Sequence, residues 1–92
     1  MSYEWDADKE AKNIAKHGID FVQASQIFKG PVLQRNDSRK DYGEKRMIAL
    51  GQYDGVVLCV VYTHRYKSRR IISAWKASKN DRKTYEKSCD QL

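Results

Sequence analysis

Proline is nearly absent from this chain of 92 residues, with Pro31 alone, and its five glycines are scattered rather than grouped. No Pro-rich or Gly/Ser-rich stretch offers a linker, no internal repeat is visible, and one domain over residues 1–92 is expected. Long apolar runs are missing too. The longest, Val56–Tyr62, falls far short of the ~20 residues that span a bilayer. The opening Met1–Asp6 is neither basic nor apolar, unlike a secretory leader, so cytoplasm is expected and a membrane is not. Cysteine is scarce. Cys59 and Cys89 have no Cys-x-x-Cys spacing and only His17 and His64 to join them, which argues against a zinc site. A disulfide is not expected in such a compartment, and Cys59 reads as a small buried hydrophobe. Also absent are a glycine-rich phosphate loop, a Gly-x-Ser-x-Gly elbow and a His-Glu-x-x-His helix, so no cofactor or metal is expected.

What the chain has in quantity is positive charge, unevenly placed. Residues 1–44 hold 7 Lys and Arg against 8 Asp and Glu, whereas residues 45–92 hold 11 against 4. The net charge of +6 therefore arises wholly in the second half. His64–Lys83 concentrates Arg65, Lys67, Arg69, Arg70, Lys76, Lys79, Arg82 and Lys83 against Asp81, with Tyr66 and Trp75 among them and Tyr62 and Tyr85 on either side. Cations neutralise phosphates and aromatic rings offer faces to bases, so this composition suits a nucleic-acid-binding surface. An ordinary solvated basic face is the alternative.

The elements follow from local signals. Tyr3–Trp5 suits a short strand. Asp6 is placed to cap a helix over Ala7–His17, with Ile14 and Ala15 expected inward and Gly18 at its C-terminal end. Asp20 caps a second helix whose apolar face is Phe21, Ala24, Ser25 and Phe28, ending at Gly30-Pro31. Val32–Arg35 is a candidate edge strand, followed by a charged loop. Arg46–Gln52 and Val56–His64 are joined by Asp54-Gly55, a type I′ hairpin signal. The second of these is apolar on both faces and belongs in the centre of a sheet. Arg69–Trp75 follows, and Ser78 caps a last helix, Lys79 to about Asp90, with a thin apolar contribution from Tyr85 and Cys89. The sum is α+β: a small antiparallel sheet with two N-terminal helices on one face and a C-terminal helix.

A basic, metal-poor site can cut RNA by internal transesterification, since the ribose 2′-OH is the nucleophile. The protein supplies a base, an acid and cations for the phosphate. His64, at the end of the central strand and on the same face as Tyr62, suits proton transfer; a plain strand-end histidine is its alternative. His17 reads as a helix-end residue first. Arg46, Arg69 and Arg70 fall on strands that could aim a guanidinium at phosphate, although edge charge that keeps sheets apart is also a use for them. Arg69 and Arg70 point to opposite faces, so at most one faces a given groove. Lys76, Lys79, Arg82 and Lys83 could extend a phosphate track. Trp5, Phe21 and Phe28 are assigned to the core.

Glu4-Trp5-Asp6, Lys9, Asn13, Lys16-His17-Gly18-Ile19, Phe21, Ala24 and Phe28 also form a pattern with Glu44, Arg46, Gly51, Arg70-Ile71-Ile72-Ser73-Ala74, Lys76-Ala77, Arg82 and Tyr85. That pattern runs over nearly the whole chain and closely resembles the BrnT family of type II toxins. The resemblance implies a RelE-like fold and a ribonuclease that halts translation by cutting RNA without a metal. It also implies a BrnA-like ribbon-helix-helix antitoxin, typically in a complex of two of each, which binds operator DNA through the antitoxin. The chain departs from the family at one place: where an arginine usually follows Ile-Ser-Ala, it has Trp75 before Lys76. Tryptophan supplies no charge to a phosphorane, though it can stack on a base.

The site expected on these grounds has His64 or Tyr62 for proton transfer and Arg46 and Arg70 for phosphate. Arg65, Arg69, Trp75, Lys76, Arg82 and Tyr85 form the RNA surface. A disarmed homologue that binds an antitoxin and acts as co-repressor is the second reading, fed by Trp75. A general nucleic-acid-binding domain is a weaker third.

Overall fold

A computed structural model describes residues 2–90, with side chains described to residue 88. The elements run β1 (Ser2–Trp5), α1 (Ala7–His17), α2 (Phe21–Gln26), a 3₁₀ turn (Ile27–Lys29), β2 (Leu33–Asn36), β3 (Met47–Tyr53), β4 (Val56–Arg65), β5 (Ser68–Lys76) and α3 (Lys79–Asp90). They form one α+β arrangement around a five-stranded sheet in the order β1-β5-β4-β3-β2. β2 to β5 are antiparallel neighbours, whereas β1 runs parallel to β5, so the sheet is mixed rather than wholly antiparallel. No helix among the described residues is long and apolar enough to cross a membrane.

The turns and caps obey their local chemistry. Asp54 and Gly55 have φ of 50° and 78°, the paired positive values a type I′ hairpin needs. Asp6 accepts from the Asp8 and Lys9 amides, and the Lys9 amide above all holds its carboxyl below the usual range. Asp20 and Gln23 form a reciprocal capping box at α2. Ser78 Oγ accepts from the Asp81 amide at the start of α3.

β4 is buried on both faces because its side chains feed two cores. Leu58, Val60 and Tyr62 face α2 and the 3₁₀ turn, joining Phe21, Ala24, Ile27, Ala49, Ile71 and Ala74. Val57, Cys59 and Val61 face the other way, with Ile48, Leu50 and Tyr85 of α3. A bulge lets Ile71 and Ala74, three residues apart, serve the same face: Tyr62 pairs with Ile71 but Val61 with Ser73.

α1 departs from its expected docking. Ile14 is 45 % exposed and Ala15 is also exposed; the buried residue of this helix is Asn13. Its amide donates to the Ala74 carbonyl and accepts from the Ala74 N–H, at 2.9 and 3.0 Å, and donates to the Ile19 carbonyl. β1 ends opposite Ile71, so beyond it the edge of β5 is open, and the Asn13 amide takes the place of the missing strand. α1 thus lies along the edge of β5 and α2 covers the sheet face. The Cys89 side chain, expected to support α3, lies outside the described residues.

Candidate functional site

The antiparallel register of β4 and β5 sets His64 opposite Arg69, and the pleat puts both on the α2 face with Tyr62. The Arg69 guanidinium sits 4.1 Å from the Phe28 ring centre, 5.5 Å from that of Tyr62 and 6.0 Å from that of Tyr3. One terminal nitrogen donates to the Tyr3 hydroxyl at 3.2 Å. Tyr3 reaches this place because parallel pairing of β1 sets it beside Arg69, and Phe28 because the 3₁₀ turn carries it back over the sheet. Stacking on aromatic faces stabilises a cation by ~0.5–2 kcal/mol per contact. Among the described residues no carboxylate pairs with Arg69, and none gives its buried Nε a hydrogen-bond partner. The His64 ring is exposed and meets Tyr62 edge-on, with centroids 5.3 Å apart. Tyr62 itself is buried, its hydroxyl committed to Gln34 Oε1. The cluster therefore presents an unneutralised cation beside an accessible imidazole.

The other expected catalytic residues make different contacts. Arg70 projects from the opposite sheet face and pairs with Glu4 at 3.8 Å. Arg46 precedes β3 instead of lying on it. It stacks 4.1 Å over Tyr42 and shares Glu44 with Arg65, at 3.2 and 2.9 Å. The His64–Tyr62 pair thus meets Arg69, while Arg70 lies on the other face and Arg46 is engaged with Tyr42 and Glu44. Tyr85, placed on the RNA surface by the sequence, is 4 % exposed and donates to the Pro31 carbonyl at 2.8 Å, because α3 needs it as its anchor on the sheet. Arg82 is exposed and faces Glu86 one turn on, at 3.8 Å. Lys76 ends β5 beside a hollow of about 260 Å³ that it shares with His17, Tyr53 and Asp54.

Trp75 is half-buried on the face opposite Arg69, between the His17 ring at 6.2 Å and the Arg39 guanidinium at 5.4 Å. Arg39 arrives from the loop after β2, held by a two-point pair with Asp37 at 2.8 and 2.9 Å. That guanidinium holds the Asp37 carboxyl well down, at about 2. Burial, and then the charge of Asp81, pushes the Cys59 thiol up to about 11, so it stays protonated at neutral pH and offers no thiolate. Among the described residues no three His, Cys, Asp or Glu side chains gather into a ligand set.

Tyr3, Gln34 and Arg39 had no signal in the sequence, since each acquires its role from a contact across the sheet. Phe28 was legible only as core.

A family model described as the ribonuclease toxin BrnT of type II toxin–antitoxin systems matches residues 5–81, from the end of β1 through the first turn of α3. No curated protein shows significant similarity to the chain.

Proposed function

Because the chain belongs to the BrnT family of ribonuclease toxins of type II toxin–antitoxin systems, we propose that it cuts RNA without a metal, at the cluster of His64, Arg69 and Tyr62. The observation that carries this reading is a guanidinium with no carboxylate partner among the described residues, set opposite an exposed imidazole. In the reaction the ribose 2′-oxygen attacks the adjacent phosphorus and gives its proton to His64. The bond from phosphorus to the 5′-oxygen breaks, that oxygen takes a proton from water, and a 2′,3′-cyclic phosphate remains. Arg69 stabilises the charge that gathers on the phosphorane, where a prepositioned cation acts most strongly. Tyr62 positions both neighbours and moves no proton, its hydroxyl being committed to Gln34. A BrnA-like ribbon-helix-helix antitoxin, in a complex of two of each, restrains the toxin in the cytoplasm and carries it to operator DNA.

The second reading, a disarmed homologue that serves as co-repressor, is favoured by Trp75, which stands where the family's arginine would be. Induction of the chain without antitoxin, beside His64→Ala and Trp75→Arg versions, separates the two. The nuclease reading expects growth arrest and RNA fragments from the chain as it stands, undiminished by EDTA in vitro. It also expects His64→Ala to lose ~10²-fold or more of the cleavage rate with its melting temperature unchanged. Arrest confined to Trp75→Arg establishes the disarmed homologue. If folded protein of every version leaves growth and RNA intact, the nuclease reading is wrong.

A further inference from the structure

Lys9, Lys12 and Lys16 follow one another at i, i+3 and i+7, so they form a row about 10 Å long on one side of α1. Asn13 on the same side anchors the helix to the edge of β5. That anchoring turns the lysine row toward Trp75 and encloses an open groove of about 420 Å³ between α1, Ile72 and Trp75, with Arg39 at its far rim. Its chemistry is one-sided. Of the four cations, Arg39 alone has a carboxylate within ion-pair distance among the described residues, and the partner, Asp37, is buried behind it. The three lysines are exposed, and the half-buried indole at the floor is flanked by the His17 ring.

We propose that this groove is a docking site for single-stranded RNA, in which a base stacks on Trp75 and the lysine row takes the backbone phosphates. The proposal rests on the reading of the chain as an RNA-cutting protein but assigns a second surface, on the sheet face opposite the His64 cluster. A row of ammonium groups alone would suit any polyanion. The planar indole beside it, with Arg39 and His17 at its sides, is what selects a nucleic acid over an acidic protein segment, because every base has a face to stack.

The test uses the full chain and a 2′-O-methyl oligoribonucleotide, which the 2′-OH chemistry cannot cut. Its binding is read by anisotropy of a labelled oligonucleotide and by tryptophan fluorescence, with polyphosphate and polyglutamate as base-free and protein-like polyanions. The oligonucleotide should quench Trp75 saturably, and Trp75→Leu should weaken binding roughly ten-fold. Lys12→Ala/Lys16→Ala should keep its melting temperature and lower the slope of log affinity against log salt by about 1.4. Unchanged oligonucleotide binding in both variants overturns the proposal. So does equal quenching by polyphosphate, which would leave no role for a base, or quenching by polyglutamate alone, which would make the groove a seat for an acidic protein. A chain that seats the oligonucleotide at Trp75 yet cuts no RNA refutes the nuclease reading and leaves this one standing. RNA cut with unaltered affinity in both variants refutes this one alone.

Discussion

Asn13 decides where α1 sits, and it does so through hydrogen bonds rather than apolar burial. A strand edge that is neither paired nor solvated leaves donors and acceptors without partners, at a cost of ~1–3 kcal/mol for each buried group. The Asn13 amide satisfies both groups of Ala74 with one planar side chain, which no aliphatic residue can imitate. Asn13→Leu is therefore expected to destabilise the protein by about 2–4 kcal/mol in urea unfolding. Ile14→Ala, at an exposed position, should stay within about 0.5 kcal/mol. Reading α1 by hydrophobicity gives the opposite ranking. An inward asparagine carries no periodic signal, because its reason is a backbone group 61 residues away.

The elements themselves were legible where their causes are local. The Asp54-Gly55 hairpin, the caps at Asp6, Asp20 and Ser78, and the two-sided burial of β4 follow from short-range sterics and alternation. How the elements press on one another was not. Gly51 of β3 shows this: a Cβ there would lie 2.6 Å from the Ile27 Cβ of the 3₁₀ turn, so the turn rests directly on the strand backbone. Gly51→Ala must push that turn off the sheet or bend β3, which should lower stability by about 1–3 kcal/mol. Because Phe28 follows Ile27 and stacks on Arg69, the same change should also loosen the Arg69 cluster. RNA cleavage reduced alongside stability would register that coupling.

At the scale of the whole molecule, the connection between β2 and β3 ties one half of the sheet to the other. Asp37, beside β2, holds Arg39 over Trp75 on β5, three strands away in the sheet order. The folded Asp37 carboxyl titrates at about 2, below its ordinary value of 3.8, so the pair stabilises the fold above pH ~4. That contribution is lost as pH falls from there through about 2. Asp37→Asn should therefore be less stable than the parent at pH 7, by about 1 kcal/mol given the half-exposed Arg39. The two proteins should converge in acid unfolding as pH drops below 4; a gap of undiminished size at pH 2 would assign the effect to packing.

The basic second half, the order of helices and strands and the pairing of His64 with Tyr62 on one face were determined by the sequence alone, because charge, capping and alternation act between near neighbours. Only the tertiary structure decided that Arg69 and not Arg70 shares that face with them in an aromatic setting, since Tyr3 arrives through a parallel pairing and Phe28 through a returning turn. It also decided that Tyr85 is core and that the lysines of α1 converge on Trp75. Those placements depend on contacts between residues distant in the chain, and no local pattern carries them.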